Sequence, residues 1–171
     1  RGSPDWIERL GYPGSAIGEI NQKAVQLMVD LKAEYRDELP SIIISGCIGP
    51  RGDGYSPGTM MSVAEAADYH AAQIAVFSRT AADLVTAATM NYVEEAVGIC
   101  NAAAAFELPA VISFTVETDG NLPTGMSLKD AIERVDGTAD QRPLYYMINC
   151  AHPTHLPVNS KMEGLNRGSN G

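Results

Sequence analysis

Long apolar runs, positive charge and cysteine are all scarce in this chain. No run approaches the roughly 20 residues needed to cross a bilayer. The opening Arg1-Gly2-Ser3-Pro4-Asp5 carries no apolar signal-peptide core. Lys and Arg number 12 against 21 Asp and Glu, a net charge of −9, and the basic residues form no stripe. Nucleic acid and anionic membrane are therefore not expected as partners. Cysteine occurs three times, at Cys47, Cys100 and Cys150. An odd, sparse set is not a disulfide framework and suits a reducing, cytoplasmic setting. The chain opens on Arg1 rather than Met, as expected of a trimmed sequence.

What the 171 residues do have is 45% hydrophobic content, enough for one domain with a core. Four short runs read as strands: Ile42-Ile43-Ile44-Ser45-Gly46-Cys47, Leu84-Val85-Thr86-Ala87, Ala110 to Thr115, and Leu144 to Asn149. They are apolar on both faces, which suits parallel strands covered on both sides. Helical patterns lie between them. Residues 18–36 place Ile20, Ala24, Leu27, Met28 and Leu31 on one expected inward stripe. Ser62 and Glu65 have the form of a capping box, opening a helix with Val63, Ala67, His70, Ile74, Phe77 and Ala81 inward. Asn91 and Glu94 suggest a similar cap for a helix with Val93, Ala96, Val97, Cys100 and Ala104 inward. Ser127 and Asp130 start a helix from Leu128 to Val135. Strands alternating with helices indicate βαβ units and a parallel sheet. An open doubly wound sheet and a closed barrel both satisfy that order. We expect residues 1–156 to form the domain and 157–171, rich in Asn, Ser and Gly, to be a flexible tail.

In parallel α/β folds, ligands bind beyond the carboxyl ends of the strands. The segment after the first strand, Ser45 to Tyr55, is glycine-rich. It is either a substrate-lining loop, with Arg51 or Asp53 meeting a charged group, or simply a tight loop. It lacks the Gly-Lys-Ser/Thr ending of a P-loop. After the second strand, Thr89 either hydrogen-bonds a ligand or caps a helix. After the third, Glu117 and Asp119 are candidates for a base or an amine-binding carboxylate, although turn chemistry also explains Asp119-Gly120. After the fourth comes Asn149-Cys150-Ala151-His152-Pro153-Thr154-His155. Cys150 at the end of a strand is the candidate metal ligand; its alternative is a small buried hydrophobe. His152 and His155 follow as candidate ligands or substrate contacts. Cys47 ends a strand without a neighbouring second ligand. Cys100 and His70 lie on helical apolar stripes and read as core.

These post-strand segments resemble the homocysteine S-methyltransferase family. The resemblance rests on Ser45-Gly46-Cys47-Ile48-Gly49-Pro50-Arg51-Gly52, Tyr69-His70 with Gln73, Ala82-Asp83-Leu84-Val85, Thr89 with Val93-Glu94-Glu95-Ala96, Ser113-Phe114 through Gly125, and Ile148-Asn149-Cys150. Pro4-Asp5-Trp6 resembles the segment after the family's second strand. The resemblance runs over nearly residues 3–156 and implies a (β/α)₈ TIM-type barrel represented by strands 3–6. It implies a Zn²⁺ site of three cysteines to which Cys150 gives one ligand. It also implies methyl transfer from a small-molecule donor to a thiol such as homocysteine, the chemistry of methionine formation. Glu117 is then the catalytic candidate, with Thr89, Asp119, Asn149 and His152 around the substrate. Many family members carry a glutamate where Ala88 stands, and Glu117 is the candidate to replace it. The family's Cys-Cys pair after the eighth strand and its acidic-glycine motif of the first strand have no counterpart here. An incomplete barrel leaves two raw strand edges, so missing barrel segments or a second copy are expected to cover them. The alternatives are an inactive binding or scaffolding stretch of such a barrel, and a barrel lyase using Glu117 or His152 as base on a carboxylate substrate.

Overall fold

The computed structural model describes residues 2–155; the expected tail at 157–171 lies outside the described residues. Helix α1 (Pro4–Arg9) and a 3₁₀ turn at Gly14–Ala16 lead into α2 (Ile17–Glu34). Then come β1 (Ser45–Ile48), α3 (Val63–Phe77), β2 (Leu84–Met90), α4 (Val93–Ala105), β3 (Ala110–Phe114), α5 (Leu128–Thr138) and β4 (Tyr146–Ile148). Among the described residues no helix is long and apolar enough to cross a membrane.

All three strand pairings are parallel, and the sheet order is β1-β2-β3-β4. That order decides between the two architectures left open by periodicity. Right-handed crossovers that always step in the same direction put every helix on the same face of the sheet. A doubly wound sheet must instead reverse its order somewhere. The chain therefore has the (β/α)₈ barrel type of wall, seen over four consecutive strands. On the helix-facing side, Ile48, Val85, Ala87, Ile112 and Phe114 join one buried cluster with Ile74, Phe77, Val97 and Val135. Gly46 lies against the Phe77 ring, where a Cβ would sit 2.6 Å from a ring carbon, so only glycine lets α3 come this close. Gly98 of α4 meets α3 in the same way.

The opposite face differs from the sequence expectation of strands covered on both sides. In β1, Ser45 and Cys47 are exposed while Gly46 and Ile48 are buried, and β4 is half-buried at Tyr146 and Ile148 and exposed at Met147; only β3 is buried throughout. Ser45 and Cys47 border a cleft, and among the described residues β1 and β4 each present an unpaired edge. Strand β1 also starts later than expected. Ile44 is held by the Asp83 carboxylate on its N–H (2.8 Å), and its carbonyl accepts from Asp83 N–H.

Two helix expectations are corrected. In α2 the buried residues are Asn21 and Val25, while Leu27 is 57% exposed, and Met28 and Leu31 are exposed as well. The helix packs through Val25 and the Asn21–Gln73 bond on α3 (2.9 Å), which turns its apolar stripe away. Ile20, Ala24 and Met28 instead line a cleft of about 550 Å³ beside β1. In α4 the N-cap is Tyr92, with no side-chain cap bond. Asn91 is diverted to the carbonyl of Asp53, and Glu94 pairs with Arg134 at 2.7 Å. The Ser62–Glu65 capping box and the Ser127 cap of α5 form as expected. Cys100 and His70 are buried as read from their stripes.

Candidate active site

Three consecutive strand ends converge because the hydrogen-bond ladder runs one step past them. Thr115 N–H donates to the carbonyl of Met90 (2.9 Å), and Asn149 N–H to that of Phe114 (3.1 Å). Between Ala87 and Met90 the β2–β3 register shifts. Such a bulge re-aims a side chain, and here it does so at Thr89, whose φ is 62°. Cys150, two residues beyond β4, has a φ of 55° and is exposed. Left-handed backbone is uncommon for non-glycine residues. Finding two of them bonded to each other marks a built feature rather than a loop accident.

The Cys150 sulfur lies 3.7 Å from Thr89 Oγ1 and 3.2 Å from Asn149 Nδ2, which donates to it. The Thr115 hydroxyl approaches the Cys150 carbonyl at 3.5 Å. The Tyr55 phenol also neighbours the sulfur. Contacts from Tyr55 first, then Thr89 and Asn149, hold the Cys150 thiol below the ordinary range against a smaller opposing effect of burial, and the same contact raises the Tyr55 phenol. Hydrogen bonds to the charged form favour it. By contrast, burial pushes the core Cys100 thiol up to about 12. We therefore expect Cys150 to be alkylated by iodoacetamide at lower pH than a free thiol. Tyr55→Phe should move the midpoint of its pH–rate profile upward. A profile unchanged by Tyr55→Phe would contradict the assigned contact.

Tyr55 sits on the glycine-rich loop between β1 and α3, and the start of α4 grips that loop by its backbone. Arg51 N–H donates to Glu95 Oε1 (2.8 Å), Asn91 Nδ2 donates to the Asp53 carbonyl (2.8 Å), and Met61 N–H donates to the Tyr92 hydroxyl (3.1 Å). The Asp53 carboxylate folds onto Tyr55 N–H and Ser56 N–H. Beneath the loop, His70 Nε2 and Glu95 Oε1 are 2.9 Å apart, with each side chain at most 1% exposed. A carboxylate has only acceptors, so Nε2 carries the proton in this pair. Burial above all, aided by the Glu95 carboxylate, pushes the Tyr92 phenol up to about 12.

The residues singled out from sequence are thus distributed unevenly. Thr89, Asn149 and Cys150 come together. Glu117 is exposed, with its N–H on the Asn121 carbonyl. The Asp119 carboxylate receives Asn121 N–H and Nδ2 at 3.0 Å each, bonds that keep it below the usual carboxylate range. His152 is exposed, its Nδ1 2.8 Å from the Thr154 hydroxyl, with its ring 6.1 Å from that of His155. Arg51 lies over the Tyr69 ring. Cys47 and Ala88 line the cleft beside β1. Sequence reasoning missed Ser113 and Tyr55. Ser113 had a readable signal, since a hydroxyl inside an apolar strand must find a partner. Tyr55 had none beyond its place after the glycines.

The fit to zinc is partial. Among the described residues no three His, Cys, Asp or Glu side chains stand close enough to hold a metal ion. Cys150 offers one exposed, donor-stabilised sulfur, and the described residues do not by themselves complete a zinc site.

The sequence profile described as homocysteine S-methyltransferase matches residues 3–165 of this chain. The structure is similar to crystal structures of the homocysteine methyltransferase MmuM from Escherichia coli. Against its metallated form the TM-score is 0.76 at 21% identity, covering 87% of this chain and 55% of that one. Against its oxidized form the TM-score is 0.76, covering 87% and 54%, and against its apo form 0.70, covering 82% and 52%. The chain thus spans about half the length of these solved structures. No curated protein matches it.

Proposed function

Since this chain belongs to the homocysteine S-methyltransferase family, we propose that it supplies part of the active-site wall of a zinc-dependent enzyme that moves a methyl group to a small thiol such as homocysteine, a methionine-forming reaction. The observation that carries this reading is the exposed Cys150 sulfur. It receives Asn149 Nδ2 and lies 3.7 Å from Thr89 Oγ1 at the carboxyl end of a parallel sheet, where barrel enzymes place their chemistry. Cys150 is one ligand of the proposed zinc, with the others coming from barrel segments outside the described residues. When bound, zinc would stabilise the acceptor thiol as thiolate at neutral pH.

The chain's own residues bind and orient. Thr89 and His152 are assigned to the mouth around the substrate. Glu117, exposed after β3, is assigned to the acceptor's ammonium group, a role for which Ala88 has no charge. Asp119 shapes the turn that carries Glu117. The unpaired edges of β1 and β4 are proposed to be covered by further barrel strands or by a second copy of the chain. Three free cysteines fit a cytoplasmic setting. A second reading, a binding or scaffolding stretch without metal chemistry, draws on the single ligand among the described residues.

Metal analysis and methylation of homocysteine by S-methylmethionine separate the two. The parent protein is expected to carry zinc and to methylate homocysteine. Cys150→Ser should lose the metal and lower activity by about a thousandfold or more, the scale of removing a central catalytic group. A parent without zinc and without thiol methylation refutes the methyltransferase reading.

A further inference from the structure

A side-chain amide has two N–H donors and two acceptor lone pairs, and in Asn149 all four are taken inside the protein. Its Oδ1 accepts from Thr89 N–H at 2.9 Å and from the Ser113 hydroxyl at 2.7 Å. Its Nδ2 donates to Thr89 Oγ1 at 2.7 Å and to the Cys150 sulfur at 3.2 Å. The orientation of the amide is forced. Thr89 N–H can only donate, so the oxygen must face it and the NH₂ must face the sulfur. The bonded groups come from the ends of β2, β3 and β4. Two of the residues concerned, Thr89 and Cys150, are non-glycine residues with φ of 62° and 55°. Such backbone persists only where the surroundings over-determine it. An amide with no free hydrogen-bonding capacity has nothing left for a substrate.

We propose that Asn149 is a positioning residue. It ties the left-handed turns at Thr89 and Cys150 into one unit and fixes the Cys150 sulfur in the mouth of the site, without contacting substrate. The sulfur's importance rests on the proposed function. The geometry does not, and the experiment below reads the thiol directly. A protein lacking zinc would sink the methyltransferase reading and leave this one standing.

Two substitutions separate the halves of the network. Asn149→Asp is isosteric. One oxygen still receives Thr89 N–H and the Ser113 hydroxyl. The other faces Thr89 Oγ1, which can donate to it, and the sulfur, which loses the Asn149 donor and meets a negative charge. Asn149→Ala removes all four bonds. The readouts are the rate of iodoacetamide alkylation at each cysteine, followed by mass spectrometry, and the hydrogen exchange of the Thr89 amide. Exposed Cys47 and buried Cys100 serve as controls within the same molecule.

In Asn149→Asp, alkylation of Cys150 at neutral pH is expected to fall roughly tenfold or more, as for loss of a hydrogen bond to a charged group. Thr89 should stay protected, Cys47 should react at the parent's rate, and Cys100 should stay silent. In Asn149→Ala the Thr89 amide is expected to exchange freely as well. Asn149→Ala, which adds no charge, shows whether a fall comes from the lost amide, and a Cys150 rate at the parent's value in either variant overturns the proposal. So does a Thr89 amide as protected in Asn149→Ala as in the parent. Should Cys100 become reactive in Asn149→Ala, signalling loss of the fold, the aspartate variant decides alone.

Discussion

Glu95→Ala is expected to lower the free energy of unfolding by about 2–5 kcal/mol, the cost of leaving two hydrogen-bond donors without their acceptor. The substitution strips the acceptor from His70 Nε2–H and from the N–H of Arg51. Each buried donor left alone costs about 1–3 kcal/mol. His70 is poorly placed to recover, because its Nδ1 is already buried without a hydrogen-bond partner among the described residues. Glu95→Gln separates charge from hydrogen bonding. Its amide oxygen can still receive both N–H groups, so a loss of only about 1 kcal/mol is expected, that of one ordinary hydrogen bond. Urea unfolding of the two variants beside the parent measures the difference. Equal midpoints for alanine and parent would show that the pair contributes nothing. Because Arg51 N–H is one of the points where the loop is gripped, Glu95→Ala should also speed proteolysis between residues 49 and 61. Glu95→Gln should not.

The second large effect comes from Gly98. In a helix interior alanine is ordinarily better than glycine by about 1 kcal/mol. Here a Cβ would stand 2.5 Å from the Ala66 Cβ, 2.7 Å from Ala67 N and 2.7 Å from the Val63 carbonyl oxygen. Two of those three atoms are backbone, so no rotamer change relieves the clash and helices α3 and α4 must separate. Overpacking of this kind costs about 1–3 kcal/mol, occasionally more, which outweighs the propensity gain. With three atoms within 2.7 Å the cost falls at the upper end of that range, and Gly98→Ala is expected to destabilise by about 1–2 kcal/mol net. Gly137 on α5 supplies the contrast, since nothing lies within 4 Å of its built Cβ. Gly137→Ala is expected to stabilise by about 0.5–1 kcal/mol. Opposite signs in thermal or urea denaturation are the expected result. A stabilising Gly98→Ala would mean that α3 and α4 do not pack this closely.

How much of this was legible in the sequence depends on the range of the interaction. The capping box at Ser62–Glu65 and the Ser127 cap are local, spanning three residues, and were readable. The four parallel strands were readable because short runs apolar on both faces alternate with helical patterns. The sequential order of the sheet was not, because it depends on which way each crossover turns. The cap assigned to Asn91 failed for the same reason. A carbonyl 38 residues away, on Asp53, competes for that amide and wins. The stripe on α2 was real as a pattern. Periodicity gives an apolar face, however, and not the element that covers it. At the site, Cys150 and Thr89 were found from their places after strands. Their left-handed backbone and shared partner Asn149 appear only when the ends of β2, β3 and β4 are brought together. Ser113, a hydroxyl inside an apolar run, signalled a need for a partner but not that the partner is Asn149.

The grips on the 49–61 loop fall on main-chain groups: the N–H of Arg51, the carbonyl of Asp53 and the N–H of Met61. A peptide unit offers the same donor and acceptor whatever side chain it bears. The path of the loop is thus set by Asn91, Tyr92 and Glu95, at and just before the start of α4. Position 55, whose side chain reaches Cys150, can be exchanged without redrawing that path. Side chains on the loop can diversify while the helix start beneath it stays unchanged.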